Sequence, residues 1–241
     1  MRQQPEQQAP PVQRLRIRYA KRGRLRFTSH RDFSRAFERA LMRERVPMAY
    51  SSGFNPHPRI SYAGAAPTGA ASEAEYVEIG LAAVVEPEAV RSALVEALPD
   101  GLDVVEVAVS TGGKLADRLQ ASTWLIDLPT PLPVAEAAVE AFLAAETVMV
   151  ERMAKKGLRE FDCRASVLAL RAVPRPGVEG SRLDLLLRHA EPAVRPDDVI
   201  TGLGSVAPLP VGPEHGGVPL LTRLAQGPLD EETLTVGDPL L

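Results

Sequence analysis

Two short polar segments in the first quarter of the chain contain the residue types that could do chemistry. They are Ser29-His30-Arg31-Asp32 and residues 53–59 (Gly-Phe-Asn-Pro-His-Pro-Arg), and they hold two of the four histidines among many arginines. An imidazole can act as an acid or a base near neutral pH. A guanidinium binds phosphate through two parallel hydrogen bonds. His30 and His57 are therefore candidate catalytic residues at a site that faces phosphate.

Positive charge is concentrated around these segments. Residues 1–62 contain 14 Lys/Arg and 4 Asp/Glu, whereas residues 63–241 contain 14 and 27, although the net charge is only −3. Binding of a charged partner responds to the local field of a surface and not to the total charge. The asymmetry predicts an anionic partner, with RNA as a candidate. The alternative is a solvated basic face that the acidic remainder of the chain neutralises.

The elements that would position the first segment are a strand and a helix. Residues 14–19 alternate arginine with Leu, Ile and Tyr, which predicts a strand with one apolar and one arginine face. Ser29 followed by Asp32 indicates a helix start, and helical spacing of apolar residues continues to about Arg45. On this helix Arg31, Arg35 and Arg39 lie opposite Phe33 and Phe37. We expect one basic field across strand and helix, formed by Arg16, Arg18, Arg24, Arg26, Arg31, Arg35, Arg39 and Arg59.

The order of predicted elements indicates an α+β fold. After the helix come strands at 60–65 and 76–82, a helix at 86–98 and a strand at 102–109. The order strand, helix, strand, strand, helix, strand is ferredoxin-like, with an antiparallel four-stranded sheet and both helices on one face. A looser copy follows, with strands at 123–128, near 147–152, at 164–172 and at 183–187, and helices at 134–145 and from about 196. Either that second helix comes last or a final strand near 206–209 completes the copy.

These elements define four segments. We predict a flexible arm at 1–12, a basic ferredoxin-like domain at 13–111, a second ferredoxin-like α+β domain at 121–210, and a Gly/Pro-rich tail at 211–241. Residues 155–157 (Lys-Lys-Gly) are expected to form an exposed turn.

Composition excludes several classes of protein. The single cysteine, Cys163, rules out an internal disulfide and leaves no cysteine pattern for zinc or an iron–sulfur cluster, which favours the cytoplasm. No apolar run reaches the roughly 20 residues of a membrane helix, so no membrane partner is expected. Phosphate-binding loops and hydrolase motifs are not found. No metal site is predicted.

Four blocks of the chain resemble the radical-SAM-linked proteins, a bacterial domain family of unassigned function. The blocks are residues 26–32, 39–41, 53–61 and 72–79. In that family the domain is fused to, or encoded beside, a radical S-adenosylmethionine (radical SAM) enzyme with a cobalamin-binding domain. The resemblance therefore implies a radical SAM enzyme as partner, which would contain the iron–sulfur cluster, S-adenosylmethionine and possibly cobalamin. This chain is expected to have no cofactor of its own.

The predicted site has nine substrate-binding or phosphate-binding residues, each with a structural alternative. His30 could bond a nearby carbonyl or Asp32, Asn55 and His57 could satisfy local backbone groups, and Glu75 could pair with Arg59. Core packing is the favoured expectation for Phe27 and Phe54, ahead of stacking on bases. The nine residues are Arg26, Ser29, His30, Arg31, Arg35, Asn55, His57, Arg59 and Glu75.

The preferred hypothesis is an accessory protein that binds RNA and presents it to the radical SAM enzyme, in tRNA or rRNA modification. A second hypothesis is a metal-independent ribonuclease or a transferase that uses His30 or His57 as general acid or base. A third is a protein-docking module without nucleic acid, whose basic face binds the partner enzyme.

Overall fold

A computed structural model describes residues 7–154 and 157–241 of the chain. The chain divides into two compact units, and the α+β class is confirmed. The first unit ends at Arg118 and also includes Pro239–Leu241, and the second spans Leu119–Asp238. The turn predicted at 155–157 falls largely on residues outside the described part.

The first unit has the ferredoxin-like order of elements that the sequence predicts. The elements are β1 (Gln13–Lys21), α1 (His30–Arg43), β2 (Ile60–Ala63), β3 (Ala71–Leu81), α2 (Pro87–Ala97) and β4 (Leu102–Val109). The strands pair antiparallel in the order β4-β1-β3-β2. A four-residue helix, α3 (Leu115–Arg118), follows β4.

Both long helices pack on one face of this sheet. Phe33 and Phe37 of α1 and Leu94 of α2 are buried in one cluster with alternate residues of β1, among them Leu15 and Ile17. Since side chains of a strand point alternately to opposite faces, this cluster determines which face the β1 arginines occupy. Arg14, Arg16 and Arg18 lie on the face away from the helices.

The expectation that the arginine face of β1 meets solvent or phosphate is wrong for Arg16. Arg16 is fully buried, and its Nε lies 3.1 Å from Oε2 of Glu78 on β3. Its Nη2 donates to the carbonyls of Gly112 and Gly113 at 2.6 and 3.0 Å. Both glycines have positive φ, which only glycine adopts without strain. The segment between the two predicted domains, 13–111 and 121–210, therefore covers a buried ion pair.

Part of the predicted flexible arm lies against the sheet. Residues 1–6 are outside the described part of the chain. Beyond them, the Gln8 N–H donates to Ser52 Oγ at 2.9 Å and the Val12 N–H donates to the Leu81 carbonyl at 2.9 Å. These hydrogen bonds fix residues 8–12, which the Gln/Pro-rich composition did not reveal.

The second unit repeats the ferredoxin-like order and contains an inserted hairpin. The elements are β5 (Ala121–Leu128), α4 (Leu132–Ala144), β6 (Met149–Ala154), β7 (Gly157–Asp162), β8 (Val167–Pro174), β9 (Ser181–Arg188), α5 (Pro196–Val206) and β10 (Leu220–Gly227). The strands β10, β5, β9 and β8 pair antiparallel in that order. The inserted hairpin, β6–β7, lies between α4 and β8 in the chain.

The end of the second unit differs from the prediction. Its last sheet strand is β10, inside the predicted tail at 211–241, and not a strand near 206–209, where α5 ends. A small hairpin of β11 (Leu229–Asp230) and β12 (Thr235–Val236) follows. The glycines and prolines that indicated a tail flank β10 as turns, and pairing with β5 stabilises the strand between them.

The Arg16–Glu78 pair gives a prediction about stability. Arg16→Ala is expected to lower the free energy of unfolding by about 3–5 kcal/mol, because it leaves the Glu78 carboxylate buried without its main partner. Arg14 binds the same carboxylate from a half-exposed position, so Arg14→Ala should cost under about 1 kcal/mol. Urea unfolding followed by circular dichroism measures both, and equal small losses would contradict the assignment.

Candidate nucleic-acid interface

The first motif, residues 29–32, begins α1. Ser29 is the N-cap: its Oγ accepts from the Asp32 N–H at 3.2 Å and donates to the Asp32 carboxylate at 2.7 Å. The predicted capping pair is thereby confirmed. His30 is the first helical residue, exposed, with its ring edge-on to Tyr62 at 4.8 Å between centroids. Within residues 7–154 and 157–241 His30 makes no hydrogen bond with Asp32, so that alternative is not observed.

A narrow cleft, here called the α1 cleft, lies at this end of the helix. It has room for about one water, about 20 Å³. Burial raises the pKa of the neighbouring Tyr62. The cleft is lined by Tyr19, Lys21, Thr28, Ser29, His30, Phe33, Ala65, Ala66 and Glu75.

Two buried charged residues of the α1 cleft hold the loop that follows β2. The Glu75 carboxylate accepts from the Ala66 N–H at 3.1 Å, and the Lys21 ammonium donates to the carbonyls of Ala66 and Pro67 at 3.5 and 3.3 Å. The expected Glu75–Arg59 pair is wrong, because Arg59 hydrogen-bonds to Gly80, five residues along β3 from Glu75. Lys21 is not among the predicted site residues, although it continues the alternation of inward-facing residues Leu15, Ile17 and Tyr19.

Three arginines line the exposed side of α1, and we call Arg31, Arg35 and Arg39 the α1 arginine face. They lie opposite the buried Phe33 and Phe37, as the helical spacing predicts. Within residues 7–154 and 157–241 none of the three is in an ion pair. Like charges four residues apart on a helix repel one another, so this face keeps a positive potential in the free protein.

The wider basic field expected from the sequence does not form. Arg18 pairs with Glu106 at 3.1 Å, and Arg22 pairs with both Glu73 and Asp103 at 2.5 and 2.7 Å. Together with the buried Arg16, these residues belong to the β1 side of the sheet and are neutralised there. The single field is therefore wrong, because the sheet separates the β1 arginines from the α1 arginine face.

The second motif lies in a loop, residues 51–59, which we call the Phe54 loop. Ser51 closes it: its N–H donates to the His57 carbonyl at 2.8 Å, and its Oγ accepts from the His57 N–H at 3.0 Å. The Arg59 Nε donates to the Tyr50 carbonyl at 3.1 Å. Backbone and Ser51 groups thus satisfy the turn, and the Asn55 and His57 side chains are exposed instead of serving it.

The aromatic residues of the basic segment divide into two groups. Tyr19 is buried and stacks on Phe33 at 4.1 Å between ring centroids. Phe27 and Phe54 are 58% and 69% exposed, so the expectation that they pack in the core is wrong. Phe27 lies on a 3₁₀ turn (Gly23–Phe27) and Phe54 on the Phe54 loop, where neither faces the helix–sheet core. The apolar residue type alone gave no signal of this exposure.

The geometry gives no catalytic arrangement for the two histidines. A general base is normally oriented by a hydrogen bond to a third group. In the described part of the chain neither the His30 nor the His57 ring makes one. His189 of the second unit, which the sequence left without a role, does: Nδ1 lies 2.7 Å from the Leu119 carbonyl and Nε2 3.0 Å from Ser122 Oγ. Burial lowers the pKa of His189, which keeps it neutral.

Comparison with known proteins identifies a family. A model of "uncharacterized protein conserved in bacteria (DUF2344)" matches residues 14–196, about three quarters of the chain. No curated protein matches the chain. None of the helices in the described part is long and apolar enough to span a membrane.

The N-cap geometry yields a prediction. Ser29→Ala should lower the free energy of unfolding by about 1 kcal/mol, since the Asp32 N–H loses its acceptor at the helix start. Ser52→Ala serves as a control, because Ser52 accepts one hydrogen bond from Gln8 outside any helix. Thermal unfolding of the two variants provides the comparison, and a Ser29→Ala variant as stable as the control would disprove the capping role.

Proposed function

Because the chain belongs to this family of uncharacterized bacterial proteins, we propose a function from its own residues. The protein is an accessory factor that binds RNA through the α1 arginine face and presents it to a radical SAM enzyme. The chemistry of that enzyme would be a modification of tRNA or rRNA, and the compartment would be the cytoplasm.

RNA binding is supported best by one observation: the arginines of the α1 arginine face form no ion pair within the described residues. Many other surface arginines lie beside carboxylates, as Arg91 does with Glu88 and Arg171 with Asp184. Arg31, Arg35 and Arg39 have no such partner among the described residues. Forming a row of unpaired like charges costs free energy, and a polyanion offsets that cost by binding to them.

The spacing of this face also suits a chain of phosphates. Residues four apart on a helix are separated by about 6 Å along its axis, so the three guanidiniums extend over about 12 Å. Arg24 and Arg26 on the preceding turn add two further cations without ion pairs in the described part of the chain. Arginine holds phosphate oxygens bidentately, which fixes orientation as well as charge.

The partner enzyme is supported by the motif blocks, which resemble the radical-SAM-linked proteins. An iron–sulfur cluster needs several thiolates. This chain has only Cys163, which is fully buried, and burial raises its pKa to about 12. The iron–sulfur cluster, S-adenosylmethionine and any cobalamin would therefore belong to the partner enzyme.

The RNA proposal is tested with a charge-matched pair of variants. Arg31→Gln/Arg35→Gln/Arg39→Gln should weaken binding to a tRNA mixture and flatten the dependence of log K on log salt by about 2. Arg91→Gln/Arg159→Gln/Arg171→Gln removes the same charge from arginines that already have carboxylate partners, and it should leave binding unchanged. Fluorescence anisotropy over a salt series measures both.

Each other outcome of that experiment favours a specific alternative. Salt-independent or undetectable RNA binding by the native protein refutes the RNA proposal and leaves the protein-docking hypothesis. RNA that shortens during incubation, and stays intact with His30→Ala or His57→Ala, supports the ribonuclease hypothesis instead.

The partner proposal is tested by association. The tagged chain is expressed with each radical SAM enzyme of the source organism that has a cobalamin-binding domain, and complexes are measured by analytical ultracentrifugation. We expect one enzyme to form a complex that also retains RNA. If the chain associates with none of them, the partner assignment is wrong, whatever the RNA result.

A further inference from the structure

Resting on the proposed function, we infer that the RNA is single-stranded where it contacts this protein. Its unpaired bases stack on Phe54 and Phe27, while the α1 arginine face holds the phosphates. The two phenylalanines are thus base-stacking residues, which defines the substrate as an unpaired loop, bulge or end.

Phe54 is an exposed ring on a firmly closed loop. Its side chain is 69% exposed, although burying such a ring would be favourable. Hydrogen bonds between Ser51 and His57, and from Arg59 Nε to the Tyr50 carbonyl, fix the loop around it. A ring on a fixed loop loses little conformational freedom when a base stacks on it, which favours binding.

Phe27 offers a second ring beside a cation. It is 58% exposed, and the Arg26 guanidinium lies 4.6 Å from its ring centroid. Gly69 packs near the ring edge, where a side-chain atom on that glycine would lie 3.8 Å from Cε1. Phe27 is therefore supported from the loop after β2 while most of its surface is open. A ring next to a guanidinium is the combination that nucleic-acid grooves use for stacking and phosphate binding.

The strand β2 connects the Phe54 loop with the start of α1. The Phe54 loop ends at Arg59, immediately before β2, and Tyr62, the third residue of β2, contacts His30 at the start of α1. Three strand residues span about 10 Å. A short single strand can thus extend from the α1 cleft, next to Phe27, toward the Phe54 loop.

Duplex RNA does not fit these features. Its base faces are stacked on one another, and its major groove is too narrow for side chains. An exposed phenylalanine has no hydrogen-bonding group for a phosphate or a ribose hydroxyl, so it would contribute little to duplex binding. The same ring gives a sequence-tolerant contact to any unpaired base.

The test compares one single-stranded and one double-stranded probe. A 12-nucleotide oligouridylate and a 12-base-pair RNA duplex are titrated into the full chain and into Phe54→Ala, Phe27→Ala and Phe54→Trp. We expect each alanine variant to bind the oligouridylate about tenfold more weakly, with duplex binding unchanged. Phe54→Trp should retain binding, and its fluorescence should fall with the oligouridylate alone, measured against the native protein with Trp124.

Val84→Ala is the matched control, because Val84 is 74% exposed in the same unit and is remote from both motifs in sequence. Circular dichroism melting establishes that every variant is folded. An effect of Phe54→Ala no larger than that of Val84→Ala, or an equal loss for both probes, overturns the stacking inference. A loss of binding to the partner enzyme instead of the oligouridylate also overturns it and assigns the rings to a protein contact.

The two proposals fail in different ways. If the α1 arginine variant loses salt-dependent binding but the phenylalanine variants do not, the RNA-binding proposal is supported and the stacking inference is rejected. If the native protein binds neither probe, both fall.

Discussion

The two-sided burial of β1 is the constraint on which the first unit depends. One side of the strand places Leu15 and Ile17 against α1 and α2, and the other places Arg16 in a fully buried position. A buried guanidinium is costly unless an opposite charge balances it. Glu78 of β3 supplies the charge, and the carbonyls of Gly112 and Gly113 supply acceptors. The ion pair joins the neighbouring strands β1 and β3, and the two carbonyls connect it to the segment that follows β4.

The same arrangement explains why the arginines on the β1 side are not available to a ligand, whereas those on α1 are. Carboxylates on β3 and β4 neutralise the arginines on the β1 side. Among the residues that the structure describes, no carboxylate forms an ion pair with Arg31, Arg35 or Arg39 on the exposed side of α1. A segment rich in arginine has a positive surface potential only where its arginines are not paired with carboxylates.

The proposed interface combines this potential with features that ordinary packing does not require. Phe27 and Phe54 are exposed while the core of the same unit has aromatic residues in stacked contact. The α1 cleft adds two buried charged residues, Glu75 and Lys21. Their hydrogen bonds to the backbone of Ala66 and Pro67 position the loop beside Phe27. Phe27 and the α1 cleft thus lie at the start of α1, the α1 arginine face continues along the same helix, and Phe54 adds a second open ring on the loop before β2.

The sequence by itself determined the periodic features. The helical spacing around Phe33 and Phe37 predicted α1 and its arginine face, and the order of elements predicted the ferredoxin-like topology, because periodicity reflects local geometry. Only the tertiary structure decided which charged and aromatic residues are buried. Arg16 and Arg31 have the same side chain, and Phe33 and Phe54 have the same ring. Local helical spacing predicted the positions of Arg31 and Phe33. The environments of Arg16 and Phe54 depend instead on segments distant in sequence, such as Gly112 for Arg16, so no local pattern reveals them. Pairing between distant strands likewise created β10 in a segment whose composition indicated a tail.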